Sequence, residues 1–191
     1  MIEQHKPSYV VVKGQYEALR ESSRNSAYEV LAPVLTNKRS QATLKSTLTF
    51  SGITVNCIKE LKKWEMLGLR RVAWDWDKVL KTYRPKPKRF ELSIWHKKHW
   101  LCSASIGKPT VKGGKLRLDL MESNPNGSSI DGLVTDINVL CYEVYAQAIG
   151  ATELRITNPV NESVRDYYLS KKGFSYNQKK LLFSGSLKYD R

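Results

Sequence analysis

ATELRITNPVNESVRDYYLSKKGF, residues 151–174, reads as strand, capped helix and strand in that order. ELRIT alternates polar and apolar residues, as a half-buried strand does. Asn161 is a good N-cap, because its side-chain oxygen accepts from the first free backbone N–H groups of a helix. Glu162 then stands in the first turn and Lys171 and Lys172 in the last, each where the helix dipole favours its charge. Gly173 supplies the left-handed residue that closes the helix, and Phe174 follows it.

Working outward toward the N-terminus, LVTDINVLCYEVYAQAIG reads as a long helix ended by Gly150, with Leu133, Ile137, Leu140, Cys141, Val144 and Ala148 as its apolar stripe. A loop, ESNPNGSSIDG, precedes it. Three alternating strands come before the loop: RFELSIW with Phe90, Leu92 and Ile94 on one face, WLCSASI with Cys102, Ala104 and Ile106 aligned, and KLRLDLM with Leu116, Leu118 and Leu120 inward. The tight turn HKKH makes the first two an antiparallel hairpin, and Gly113-Gly114 is the next turn. His96 and His99 have two lysines between them and no acid or thiol beside them, so they read as turn residues and not as metal ligands. Residues 55–83 read as helical, with Ile58, Leu61, Trp64 and Leu67 at helical spacing, a break near Gly68 and a second short helix at AWDWDKVLKTY. Trp74 and Trp76 read as packing residues, and RPKPKR as a basic linker. Residues 1–50 hold an apolar run, YVVV, that reads as a strand, then a helical pattern from Gln15 interrupted by Ser-Ser and ended by Pro33, then a polar stretch. Their placement is left open, and residues 51–191 form the main domain.

With 191 residues and 41% hydrophobic content the chain can bury a sizeable core. It has no apolar run long enough to span a membrane, and MIEQHKPSYVVVKG lacks the apolar core of a signal peptide. Cys57, Cys102 and Cys141 are odd in number and far apart, which reads as buried free thiols in a reducing cytoplasm. Residues 36–115 hold 19 Lys and Arg against 5 Asp and Glu, leaving 13 of each sign elsewhere, so the whole net charge of +14 lies in the middle of the chain. An excess of this kind suits a polyanion such as nucleic acid, an acidic protein, or the phosphates of a nucleotide cofactor, and suits equally a solvated surface.

The 151–174 stretch resembles the closing segment of the GNAT acetyltransferases, in which an Asn at a strand end begins N-x-x-A-x-x-x-Y and a Gly-Phe follows. Asn161, Val164 and Tyr168 hold that spacing; one residue more than usual separates Tyr168 from Gly173, which leaves Tyr167 as the alternative tyrosine. RFELSIW and ELRITNPVN are similar to segments of small bacterial members. The resemblance covers roughly residues 55–188 and implies an α/β fold, a mixed, mostly antiparallel central sheet flanked by helices. It also implies acetyl-CoA as acyl donor and an amine as acceptor.

The resemblance further implies roles for single residues. Tyr168 matches the general acid that protonates the departing thiolate. Glu122, at the end of the third strand, stands where a base would draw a proton from the amine, directly or through water. The loop before the long helix would take the pyrophosphate through free backbone N–H groups. The residues implied in cofactor binding are Met121, Gly127, Ser128, Ser129, Ile130, Asp131 and Gly132, with Asn161 on the pantetheine arm. The family's R/Q-x-x-G-x-G/A signature is not intact there, since NPNGSSIDG has no basic residue at its start. Two functions are therefore expected: an acetyl-CoA-dependent N-acetyltransferase whose acceptor is a protein, a nucleotide or an aminoacyl-tRNA, or an inactive protein of the same fold that binds nucleic acid or an acidic partner through its basic middle. Relatives are often dimers, so a homodimer is a further expectation.

Overall fold

The structure, a computed structural model, describes residues 7–31, 44–68, 70, 72–157, 162–170, 174–177 and 182–186. The predicted cap at Asn161 and the predicted helix end at Lys171, Lys172 and Gly173 lie outside the described residues.

The first helix, α1 (Tyr9–Val30), takes in the YVVV run that reads as a strand. Ser8 accounts for the difference: its side chain accepts from the Val11 N–H and caps the helix there. The run then forms an exposed first turn, with Val10 76% exposed, instead of a sheet edge. Ser22 and Ser23 do not interrupt the helix, because the Ser23 hydroxyl donates back to the Leu19 carbonyl at 2.8 Å.

After a short 3-10 turn at Lys45–Thr47 come β1 (Leu48–Ser51), α2 (Val55–Met66), α3 (Trp76–Tyr83), β2 (Phe90–His96), β3 (Trp100–Pro109), β4 (Lys115–Ser123), α4 (Val134–Ala148), β5 (Glu153–Thr157), α5 (Glu162–Leu169), β6 (Phe174–Asn177) and β7 (Leu182–Ser186). The seven strands form one sheet in the order β1-β2-β3-β4-β5-β7-β6. Every neighbouring pair is antiparallel except β4 and β5. The mixed, mostly antiparallel sheet flanked by helices is the fold class that the sequence implies.

Each face of the sheet has its own core. On one face α1 and α4 cover Phe90, Leu92, Ile94, Leu116, Leu118, Leu154 and Ile156. On the other, Cys57, Leu61 and Trp64 of α2 and Trp76, Leu80 and Tyr83 of α3 cover Trp95, Leu101, Ala104 and Ile106. The N-terminal helix is an integral part of the first layer. Arg20 is fully buried and donates to the Pro87 and Arg89 carbonyls, Arg24 donates to the Glu91 carbonyl at 3.2 Å, and Arg89 pairs with Glu91 at 3.1 Å. Burial holds the Arg24 guanidinium below its usual range, partly offset by Glu91 and Glu17.

Two bulges reset the alternation that the strand sequences suggest. The β2–β3 register passes from Ile94↔Ser103 to Trp95↔Leu101 and skips Cys102. The β3–β4 register passes from Ile106↔Leu120 to Gly107↔Leu118 and skips Asp119. An extra residue in one strand turns all that follow it to the other face. Leu116 and Leu118 therefore face α4 while Leu120 packs with the α2–α3 layer, and Cys102 lies opposite Ala104 and Ile106. The expectation of three aligned residues holds for Phe90, Leu92 and Ile94 of β2 and is corrected for β3 and β4.

Gly107 permits the second bulge, because a Cβ there would stand 1.8 Å from the Arg117 carbonyl oxygen. Gly107→Ala is expected to cost roughly 3 kcal/mol, the upper end for an overpacked site, since the atom it meets is backbone. Urea unfolding of the variant measures this, and an unchanged midpoint would contradict it.

The stripe of α4 is also rotated from the one read in sequence. Its buried residues are Val134, Ile137, Asn138, Cys141, Tyr142, Tyr145 and Ala146, whereas Leu140 and Val144 are half-buried and Ala148 is exposed. Polar groups that find partners make this possible. Asn138 accepts from Ser105 at 2.6 Å and donates to Ser103 at 3.2 Å, and the Tyr142 and Tyr145 hydroxyls donate to the Phe90 and Lys88 carbonyls.

Candidate functional site

The sheet parts between its two parallel strands. Leu118↔Ile156 is the last β4–β5 pair, and β4 continues to Ser123 without β5 beside it. The Thr157 hydroxyl closes the base of the opening, 3.3 Å from the Asp119 carboxylate. The Asn124 N–H donates to the Cys102 carbonyl at 2.9 Å, and Glu122 and Leu120 stand opposite Ala104 and Ile106. Bonded positions alternate in an antiparallel ladder, so the N–H and C=O of Met121 and Ser123 turn toward the opening. An edge of this kind pairs readily with an extended chain that carries amides.

A cavity of about 730 Å³ occupies the opening. Its wall runs along β4 from Leu118 to Ser123, through Asn124 to Gly127, Asp131 and Gly132 of the loop, then Val134 and Thr135 of α4, Ile156 and Thr157 of β5, Tyr167 and Tyr168 of α5, and Val72 and Trp74 ahead of α3. A volume of this size suits a cofactor-sized ligand. Of the residues implied in catalysis or cofactor binding, Met121, Glu122, Gly127, Asp131, Gly132 and Tyr168 meet here, together with Tyr167, the alternative tyrosine. Ser128, Ser129 and Ile130 do not line it. Ile130 is in the α1–α4 core, and the two serine hydroxyls lie against the Cys102 thiol. Asn161 is outside the described residues.

Tyr168 is 4% exposed, packed beneath α5 in the same core as Ile137 and Ile156. Burial, and then the neighbouring Tyr167, push its phenol up to about 12, so it holds its proton at neutral pH. The Tyr167 ring lies 6.1 Å from it, centroid to centroid.

Glu122 sits at the opposite wall, turned toward α3 by the Asp119 bulge. Arg70 grips it with two bonds, Nε to Oε1 at 2.6 Å and Nη2 to Oε2 at 2.8 Å, and the Trp76 indole N–H donates to Oε2 at 2.8 Å. Arg70 Nη2 also donates to the Trp74 carbonyl at 2.8 Å. Arg70 and residues 72–76 are thereby held at the mouth of the cavity. The Trp74 indole N–H is buried with no hydrogen-bond partner among the described residues, so one donor in a lining residue is left for a ligand to satisfy. Asp119 accepts from the Tyr83 hydroxyl at 2.8 Å and from Arg117 Nε at 2.7 Å.

The loop between β4 and α4 is shaped by Gly127 and Gly132, at φ 80° and 82°, and by the Asp131 carboxylate. Asp131 Oδ1 accepts from the Ser128 N–H at 2.9 Å and from the Ser128 hydroxyl at 3.0 Å. Leu133, the N-cap of α4, makes no side-chain cap bond, so the positive end of that helix faces the cavity uncapped by it. Among the described residues no Lys or Arg lines the cavity, while Asp119, Glu122 and Asp131 do.

Arg70, Trp74, Asp119, Thr135 and Thr157 are site residues that sequence reading missed. Arg70 pairs with a residue 52 positions away, which no local pattern signals. All three cysteines are free and buried, and burial raises each thiol, Cys57 to about 12 and Cys102 to about 11. None is a thiolate nucleophile. Among the described residues no helix is long and apolar enough to cross a membrane, and no group of three or more His, Cys, Asp or Glu is placed to hold a metal ion.

No family model matches the sequence, and no curated protein matches it. Solved structures do match in fold. The spermidine N-acetyltransferase SpeG of Vibrio cholerae, in a mutant form, superposes with a TM-score of 0.55 at 6% identity, over 74% of this chain and 95% of that one. The ribosomal-protein-S18-alanine N-acetyltransferase of Escherichia coli gives 0.55 at 8% identity, over 75% and 96%. A protein of Arabidopsis thaliana, in complex with a bisubstrate analogue that contains CoA, gives 0.53 at 12% identity, over 73% and 99%. The chain has the fold of the GNAT superfamily, and its structural neighbours are N-acetyltransferases.

Proposed function

We propose that the protein is an acetyl-CoA-dependent N-acetyltransferase acting on an amine. The observation that carries this reading is the parting of β4 and β5 over a cavity of about 730 Å³, with a protonated tyrosine in its wall. The residues present fit the acyl and amide portions of the cofactor. Met121 and Ser123 offer backbone groups along the opening, and Trp74 offers a donor. When bound, acetyl-CoA would supply an acyl group activated as a thioester. In this reading Tyr168 would give the proton at its Oη to the departing thiolate. Glu122 keeps one lone pair at Oε1 beyond its bonds to Arg70 and Trp76, enough to orient an amine N–H; with its other positions taken, it positions the amine and leaves the proton to water.

The diphosphate end fits less well. Asp131 already occupies the Ser128 N–H and adds a negative charge. Asp131→Ala is therefore expected to tighten CoA binding about fivefold, by freeing that donor and removing a like charge. Calorimetric titration of the variant with CoA checks the sign, and weaker binding would show that the carboxylate helps to shape the loop for its ligand.

The same Asp131 supports a second reading, a binding protein on this scaffold without chemistry. Titration with acetyl-CoA, with free CoA as comparison, separates the two. Micromolar affinity is expected. No heat at two temperatures and no thermal shift would overturn the enzyme reading in favour of the second.

A further inference from the structure

The tip of the β2–β3 hairpin holds a strained turn. The His99 N–H donates to the His96 carbonyl at 3.3 Å, and the two residues between them, Lys97 and Lys98, have φ of 50° and 65°. They are the only non-glycine residues with positive φ among the described residues. A turn with positive φ at both central positions is the preferred place for Asn-Gly, and two side chains there cost free energy that the hairpin does not require. Strain kept in this way points to a use for the side chains.

Their surroundings indicate which use. Both lysines are exposed, and neither has an acidic partner among the described residues. His96 and His99 flank them, and His96 is held below its usual range by burial, then by Lys97 and His99. Trp100 follows, 42% exposed, and its indole N–H donates to the Gly127 carbonyl at 3.3 Å. The tip therefore adjoins the loop at the rim of a cavity that, among the described residues, has no lining cation. Adjacent cations and a half-exposed aromatic ring are the two elements that bind a phosphate and stack a base.

We propose that His96–Trp100 is a nucleotide-binding subsite, in which Lys97 and Lys98 take a phosphate and the Trp100 indole takes the base. The chemistry is the same for the adenosine bisphosphate end of coenzyme A and for a terminal nucleotide of RNA. Only the first of these sources rests on the acetyltransferase reading.

The test uses the full chain and two probes, adenosine 3′,5′-bisphosphate and an eight-nucleotide oligoadenylate, with Lys97→Asn/Lys98→Gly and Trp100→Ala as variants. The double variant restores the preferred turn, so its melting temperature is expected to rise while its affinity falls at least tenfold; Trp100→Ala is expected to weaken binding similarly. Loss confined to the bisphosphate assigns the subsite to the cofactor, and loss confined to the oligonucleotide assigns it to RNA. Wild-type protein that binds neither probe below millimolar concentration, or variants that bind as wild type does, would overturn the proposal. Because neither probe carries a thioester or pantetheine arm, the result stands apart from that of the acetyl-CoA titration.

Discussion

Tyr168→Phe is expected to lower acetyl transfer about 100-fold, at the low end for a lost general acid, and to leave CoA affinity within twofold of wild type. The ring keeps its place in the core, so only the hydroxyl and its bond to Thr135 are lost, at about 1 kcal/mol. Thiol release from acetyl-CoA in the presence of a panel of amines measures the rate, and titration with CoA measures the affinity. A variant with full turnover would transfer the acid role to Tyr167, in the same cavity wall. The pH dependence has a definite sign. The phenol rises from its ordinary 10.0 to about 12 on folding, so the protonated form is the one the fold favours. Its contribution to stability is fully present below about pH 10 and is lost as pH rises toward 12. A fall in rate with rising pH below pH 10 therefore belongs to another group, whereas deprotonation of the amine frees the nucleophile and raises the rate.

Glu122→Ala is expected to destabilise the protein by about 3–5 kcal/mol, the usual cost of leaving one member of a buried ion pair alone. Arg70 and Glu122 are 12% and 4% exposed, and the Trp76 N–H loses its acceptor as well. For a chain of this length the loss corresponds to a fall of about 10 °C in melting temperature. Arg70→Met combined with Glu122→Leu should recover most of it, because a buried pair exchanged for apolar residues of similar volume is close to neutral. Thermal melts of the single and double variants test both statements. A single variant that melts with wild type would show that the pair does not secure residues 72–76.

The two proposals divide the ligand between them. Among the described residues the cavity wall holds Asp119, Glu122 and Asp131 and no Lys or Arg, a setting that suits an amine. The hairpin tip holds Lys97, Lys98, His96 and His99 and suits an anion. Some of the basic residues in the middle of the chain have acidic partners. Arg70 and Arg89 are in buried ion pairs, and Lys62, Lys63 and Lys78 pair with acids on α2 and α3 or beside them.

Where local chemistry acts within a few residues, the amino-acid sequence by itself determined the outcome. The α2 and α4 helices, the HKKH and Gly113-Gly114 turns, the three long strands and the α5–β6 order all follow from apolar period and turn residues. So does the loop–helix junction that closes one end of the cavity. Only the tertiary structure decided the rest. One skipped residue at Asp119 turns Glu122 toward Arg70 and Trp76 and sends Leu120 to the face opposite Leu118. A bulge exists only where two strands are paired, and its register depends on Gly107 across the sheet, so neither strand encodes it alone. The rotated stripe of α4 likewise waits on Ser103 and Ser105 of β3 to satisfy Asn138. The opening itself is a property of two strands, β4 and β5, brought side by side and then parted, and side chains far apart in sequence meet there because burial and pairing act through space.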